Sequence, residues 1–299
     1  PNSVTRNAAI SACERGGHWR GALGLVVATT ETSLDADVIA CSAATSACRN
    51  VSQWLLALVL FAGMRRGRVA VDIVACTAAI SAFKASGHWR QALDVVADMR
   101  WLRLEPSVLT HNVAVGACHQ WERAFDLLSG ARCTSVELDV VGHSAALSSC
   151  EKGGQWQQAL DALRTASQMR MVHDSIAYNS VIGACQKCLL WEEALSLVAH
   201  MWRAHVEPDV VSYSAAISAC EKRKQWRHAL ALIGHMHCMA LQADAISFNA
   251  TVSACEYPRE WERALLLVYG MEARCLIPDV YSFNSLLSAF EKASQGERA

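Results

Sequence analysis

The sequence predicts an all-α protein, a solenoid of helix-turn-helix repeats about 35 residues long, and three observations carry that prediction. Trp19, Trp54, Trp89, Trp121, Trp156, Trp191, Trp226 and Trp261 follow one another at spacings of 35, 35, 32, 35, 35, 35 and 35. Three residues after each stands an alanine: Ala22, Ala57, Ala92, Ala124, Ala159, Ala194, Ala229 and Ala264. Six residues before most of them stands a cysteine, as in Cys13, Cys48, Cys150, Cys185, Cys220 and Cys255, with Cys118 in the same role where three residues are missing before Trp121.

Each unit reads as two helices. The first carries small and apolar residues at helical spacing, as in Tyr213-Ser214-Ala215-Ala216-Ile217-Ser218-Ala219-Cys220. A short polar break follows, for example Lys152-Gly153-Gly154-Gln155. The second helix opens at the tryptophan and runs through Trp-x-x-Ala-Leu to a methionine, as from Trp191 to Met201. Turn signals close the unit, Glu207-Pro208-Asp209 or Ile277-Pro278-Asp279, because proline cannot extend the helix before it. The alanine lets two helices approach closely, and the tryptophan is expected to act as an apolar plug between neighbours. A lone helical hairpin cannot bury its faces, whereas a stack of hairpins can. The units run 3–37, 38–72, 73–107, 108–139, 140–174, 175–209, 210–244 and 245–279, in a single array over 1–299. A ninth begins at Val280 and is expected to end just inside its second helix. Because the last unit stops partway, the chain is expected to be a piece of a longer array.

Bulk properties narrow the function classes. Hydrophobic residues make up 53% of the chain, yet the longest apolar stretch, Trp54 to Met64, is interrupted by Gly63 and falls short of the ~18 residues that would span a bilayer. No membrane association is expected. A formal net charge of −1 gives no global basic field for a nucleic acid. Of the thirteen cysteines, the seven in the repeat register recur on an apolar face amid alanines, which reads as small buried hydrophobes rather than disulfides or metal ligands. Cys185-x-x-Cys188 is a single pair, so no zinc site and no cofactor is expected. His235-x-His237-Cys238, near the end of a second helix, reads as surface decoration.

The segments Asp209-Val210-Val211-Ser212-Tyr213-Ser214, Asp244-Ala245-Ile246-Ser247-Phe248-Asn249 and Asp279-Val280-Tyr281-Ser282-Phe283-Asn284 resemble the pentatricopeptide repeat family, and the resemblance extends along the whole chain. The uniform 35-residue length is similar to the pure class of that family, while tryptophan at the start of each second helix departs from its usual pattern. The resemblance implies a right-handed α-solenoid superhelix. It also implies sequence-specific binding of single-stranded RNA, one base per repeat, in organellar RNA processing, stability or translation, and hence a mitochondrial or plastid location.

By the same resemblance, two residues of each unit read the base: the fifth and the last. The fifth residues are Asn7, Ser42, Thr77, Asn112, Ser144, Asn179, Ser214, Asn249 and Asn284. The last residues are Asp37, Asp72, Ser107, Asp139, Asp174, Asp209, Asp244 and Asp279. An asparagine amide both donates and accepts, which suits a pyrimidine edge, and a serine leaves room for a purine. The family pattern pairs Asn and Asp with uracil and Ser and Asp with guanine, giving U-G-x-U-G-U-G-U and then a pyrimidine. The second residues, which would sandwich the base, are Val4, Ile39, Val74, Leu109, Val141, Ile176, Val211, Ile246 and Tyr281. Cations expected near phosphates are Arg15, Lys152, Lys187, Lys222 and Lys292.

Each feature also has a structural explanation. Aspartate ahead of a helix is a good N-cap. Capping tolerates Asp, Ser, Thr and Asn alike, however, and seven of the eight last residues are Asp. Packing would settle the fifth position on one residue, yet Asn and Ser alternate there. The alternative function is a protein-interaction scaffold using the concave face of the solenoid. Neither the paired Cys-x-x-Cys of a deaminase domain nor the carboxylate cluster of a nuclease is present, and no phosphate loop interrupts the repeats. The reading is therefore a binder and not an enzyme.

Overall fold

The computed structural model describes residues 3–31, 38–49, 54–66, 71–118, 120–133, 139–168, 174–256, 261–272 and 276–297. Among these, all regular structure is helical. The first helices of the units are α1 (Ser3–Arg15), α3 (Val38–Arg49), α5 (Ile73–Ala85), α7 (Val108–Ala117), α9 (Val140–Gly153), α11 (Ser175–Lys187), α13 (Val210–Lys222), α15 (Ala245–Cys255) and α17 (Val280–Glu297). The second helices are α2 (Trp19–Glu31), α4 (Trp54–Arg66), α6 (Trp89–Trp101), α8 (Trp121–Cys133), α10 (Trp156–Gln168), α12 (Trp191–Arg203), α14 (Trp226–Cys238) and α16 (Trp261–Glu272). Every second helix starts on its tryptophan. The three residues missing from the fourth unit come off the end of α7, which has 10 residues where α5 has 13. No helix of the described residues is long and apolar enough to cross a membrane.

The chain forms two compact units, Pro1–Ser149 and Cys150–Ala299. In the first, α1, α3, α5 and α7 pack in succession, and α2, α4 and α6 each bridge their own first helix and the next one. In the second, α11, α13, α15 and α17 form the same kind of row, with α12, α14 and α16 laid over it. Each is an α-solenoid of helical hairpins.

This stacking explains the composition of the first helices. A helix wedged between two neighbours and a second layer is buried nearly all round, so it needs small and apolar residues on almost every side. On α13 the buried residues are Ser212, Tyr213, Ala216, Ile217, Ser218, Ala219 and Cys220, which leaves one open strip. Close approach requires alanine at the crossing point, and all eight repeat alanines from Ala22 to Ala264 are fully buried. Cys76, Cys118, Cys150, Cys185, Cys220 and Cys255 are buried with them. Burial pushes the Cys185 thiol up to about 12 and the Cys220 thiol up to about 11, so both stay protonated and behave as small apolar side chains.

The turns follow from backbone sterics. Residue fifteen of the unit adopts a left-handed conformation at Gly17, Gly87, Gly154, Leu189 and Lys224. Glycine takes it without a Cβ penalty, and leucine and lysine do not.

Three expectations need correction. The tryptophans are not plugs: Trp19, Trp89, Trp121, Trp156, Trp191 and Trp261 are half-buried, and only Trp226 among the described ones is buried. They sit at the start of the second helices, and a side chain of the next hairpin lies against Trp191, Trp226 and Trp261. His228 lies 4.8 Å from Trp191, the Arg263 guanidinium 4.3 Å from Trp226, and Phe290 5.1 Å from Trp261. The ninth unit has no second helix among the described residues. Its first helix runs on to Glu297 because the helix formers Glu291, Lys292 and Ala293 are followed by Ser294, and no left-handed residue breaks the chain there. His235 is not decoration. Its Nδ1 meets the buried Tyr213 hydroxyl at 2.7 Å, and His200 holds Tyr178 in the same way at 3.0 Å. A buried phenol needs a partner, and the histidine supplies it from the facing second helix.

Candidate nucleic-acid interface

The open strip of each first helix carries the second and fifth residues, which lie three apart and so share a face. The second residues stand out from it. Val74, Leu109, Val141, Ile176, Val211, Ile246 and Tyr281 are between 52% and 65% exposed, in helices whose other apolar residues are largely buried except in α17, where Val280, Phe283 and Leu287 are exposed too. An exposed branched aliphatic at one register position in unit after unit is not explained by the core. The Tyr281 hydroxyl donates to Glu221 Oε1 at 3.2 Å. Val4 and Ile39 lie on α1 and α3, but their side chains are outside those described.

The fifth residues are recessed between them. Ser42, Asn112, Ser144 and Asn249 are 5–8% exposed, Asn7, Thr77, Asn179 and Ser214 are half-buried, and Asn284 on α17 is exposed. The face therefore alternates aliphatic posts with small polar floors.

The last residues are helix N-caps. The carboxylates of Asp72, Asp139, Asp174, Asp209, Asp244 and Asp279 accept the backbone N–H of Ala75, Gly142, Ala177, Ser212, Ser247 and Ser282 at 2.8–3.1 Å, and the Ser107 hydroxyl accepts that of Thr110 at 3.3 Å. Asp37 lies outside the described residues. Capping does not exhaust their role. Asn112 Nδ2 donates to Asp139 Oδ1 at 2.7 Å, Asn179 Nδ2 to Asp209 at 3.1 and 3.2 Å, and Asn249 Nδ2 to Asp279 at 3.1 and 3.2 Å. The fifth and last residues of one unit, 27 or 30 positions apart, thus touch. The pairing follows from the stack, since the last residue of one unit caps the first helix of the next, beside the preceding first helix. Thr77 and Ser107 are linked through Thr110, whose hydroxyl lies 2.8 Å from one and 2.9 Å from the other. Ser214 turns its hydroxyl back to the Val211 carbonyl at 3.1 Å. The Ser282 backbone N–H, the Ser282 hydroxyl and the Asn249 amide together hold the Asp279 carboxyl below the usual carboxylate range.

The thirteenth-position cations sit at the ends of the first helices. Arg15, Lys152, Lys187 and Lys222 are exposed. Lys187 Nζ donates to the Glu151 carbonyl at 2.8 Å, and Lys222 Nζ reaches the Gln186 carbonyl at 3.5 Å, where cations offset the negative helix terminus. Lys292 is ion-paired with Glu256, 2.5 Å away. Burial pushes the Glu256 carboxyl up, and the bonds from Lys292 and Ser288 outweigh it and bring it below its ordinary value.

Comparison with known families bears on this array directly. A PPR repeat family model matches residues 173–222, a pentatricopeptide repeat domain model residues 34–120, and a PPR repeat model residues 211–239. The chain is a pentatricopeptide-repeat protein. Among solved structures, that of the pentatricopeptide repeat protein PPR10 from maize is similar over 97% of this chain and 42% of its own, at 22% identity and a TM-score of 0.73. PPR10 in complex with an 18-nt psaJ RNA element gives a TM-score of 0.75 at 18% identity, over 98% of this chain and 44% of that one. The PPR domain of Arabidopsis thaliana protein-only RNase P 1, in complex with tRNA, gives 0.50 at 14% identity, over 56% of this chain and 90% of that one. At these identities the likeness shows the fold. The chain spans less than half the length of the PPR10 chain. No curated protein matches the sequence.

Within the pentatricopeptide framework, the sequence reading missed the third residue of each unit. The Ser212 and Ser282 hydroxyls lie within hydrogen-bond reach of both members of the preceding Asn and Asp pair, 2.5 Å from the asparagine oxygen and 2.9 Å from the carboxylate, and the single hydroxyl hydrogen goes to one of them at a time. A signal was available, since a serine or threonine three residues after an aspartate cap has the spacing of a capping box.

Proposed function

We propose that this protein binds single-stranded RNA, one base per repeat, with the fifth and last residues of each unit reading the base edge and the second residues flanking its faces. The observation that carries the reading is the direct hydrogen bond between fifth and last residues in the three Asn and Asp units, of four, whose last residue is described. A cap needs no partner at the fifth position, and a packing residue there would not be polar. Recessed polar floors between exposed aliphatic posts suit a flat base whose faces are apolar and whose edge hydrogen-bonds. The PPR10 and protein-only RNase P 1 structures, which hold RNA, lend the fold-level support.

The target expected from the pairs is U-G-x-U-G-U-G-U, with x at the Thr77 and Ser107 unit. The protein acts as a binder in this proposal, without chemistry of its own, in the handling of organellar transcripts. Arg15, Lys152, Lys187 and Lys222 meet phosphates in this proposal, Lys187 and Lys222 by releasing the Glu151 and Gln186 carbonyls. Four such contacts give a slope of log K against log salt of about −3 for a single strand.

The test is a salt titration of binding to a UG-repeat RNA and to a scrambled RNA of the same composition. Tighter binding of the UG repeat at every salt concentration is expected. Equal binding of UG-repeat and poly-A RNA at moderate salt would reject the proposal in favour of a protein-interaction scaffold.

A further inference from the structure

The fifth residue does not hold its orientation alone. In the unit 175–209, Asn179 Nδ2 faces the Asp209 carboxylate, and the Ser212 hydroxyl donates to Asn179 Oδ1 at 2.5 Å. The unit 245–279 repeats this with Asn249, Asp279 and Ser282, again at 2.5 Å. Ser212 and Ser282 are the third residues of the units that follow. In the unit 108–139 the equivalent third residue is Gly142, which has no hydroxyl. Asn112 Nδ2 still donates to Asp139, but Asn112 Oδ1 is buried without a hydrogen-bond partner.

We propose, on the base-reading function above, that the third residue of each following unit is a positioning residue that sets the amide orientation of the fifth and thereby its choice between uracil and cytosine. A carboxylate can only accept, so it selects the Nδ2 end of the asparagine. One bond leaves the amide free to rock about its broad terminal torsion. A hydroxyl donating to Oδ1 from the other side removes that freedom. The second Nδ2 hydrogen is then the group left for a base.

A fixed N–H donor discriminates between the pyrimidines. Uracil presents the O4 acceptor where cytosine presents its N4 amine. A locked amide therefore favours uracil. An amide whose Oδ1 is buried and unpaired gains by turning that oxygen outward to a donor, and the cytosine amine is one. Among the asparagine units, Asn179 and Asn249 are locked by Ser212 and Ser282, whereas Asn112 faces Gly142. Discrimination of uracil from cytosine is accordingly sharper at the sixth and eighth nucleotides than at the fourth.

The experiment is competition binding of RNAs carrying U or C at one nucleotide, using the full chain. In Ser212→Ala the U:C affinity ratio at the sixth nucleotide falls by about threefold to tenfold, the worth of one hydrogen bond. Ser212→Thr keeps it. Gly142→Ser raises the ratio at the fourth nucleotide by a similar factor. A merely structural loss of the capping box weakens both RNAs together and leaves their ratio alone. An unchanged ratio in both Ser212→Ala and Gly142→Ser, with the unaltered protein preferring uracil, overturns the positioning role while leaving base reading intact. Should Ser212→Ala not fold, Gly142→Ser decides by the same ratio. No U over C preference at the sixth nucleotide in the unaltered protein would refute base reading itself, and the positioning role with it.

Discussion

Replacing Ser214 by asparagine should convert the unit 210–244 from guanine to uracil, and the structure shows why the exchange is small. The socket for an asparagine is already present. Asp244 caps α15 as Asp209 caps α13, and Ser247 occupies the place of Ser212, with its hydroxyl 2.7 Å from Asp244 Oδ1. In the neighbouring asparagine units the amide reaches its carboxylate at 3.1 Å and its serine at 2.5 Å. Ser214→Asn gives up one bond to the Val211 carbonyl and gains two. Two new bonds contribute about 0.5–1.5 kcal/mol each. The lost Val211 bond offsets one of the two, and ordering the longer side chain takes back up to about 1 kcal/mol, so the variant should be at most about 1.5 kcal/mol more stable. Helix propensity barely changes, because serine and asparagine rank together. Exchanging the recognised base should shift relative affinity by about 1–3 kcal/mol, or about five- to 150-fold, from G toward U at the seventh nucleotide. Denaturant unfolding measures the first quantity and competition binding with G or U at that nucleotide measures the second. A more stable variant with an unchanged base preference would show that the pair fits together without reading RNA.

Further outcomes follow from the scaffold. Leu189 and Lys224 hold left-handed backbone at φ 62° and 59°, where other units place glycine, so Leu189→Gly or Lys224→Gly should raise stability by about 0.5–1 kcal/mol. A loss of the size caused by glycine inside a helix, seen in urea melts, would contradict this. Trp226→Ala should cost about 3 kcal/mol, since Trp226 is buried and Arg263 stacks on it, while base preference stays as it was; a changed preference would implicate the second helices in recognition. At pH 8, alkylation should label the exposed Cys238 well before Cys185 and Cys220, and equal labelling of the folded protein would refute the packing role. The same thiols make stability depend on pH. Their folded values, pushed up by burial to about 12 and about 11, lie above the ordinary 9.0, so the folded state retains protons that the unfolded chain releases. Their contribution is complete below about pH 9 and declines as pH rises toward 11–12. A denaturation midpoint equal at pH 8 and pH 10.5 would count against it.

Periodicity alone determined the architecture. A tryptophan, an alanine and a cysteine in one register place sixteen helix starts and turns, because repeating units bury the same positions against identical neighbours. Three-residue spacing puts the second and fifth residues on one helix face, but they were singled out by the resemblance to the pentatricopeptide repeat family, and only the packing of neighbouring hairpins left the second exposed and recessed most of the fifth. The role of single side chains within that register was not legible. Whether Trp191 is a plug or a half-covered lid depends on His228 of the next hairpin, 37 residues on. His235 looked idle until Tyr213 was seen to need it. The third residue was passed over because its bonds run backward, from Ser212 to Asn179, across the join between units. Sequence spacing specifies which residues share a helix face. Only packing of one hairpin on the next decides which polar groups meet across it, because those distances are set by helix contact and not by chain separation.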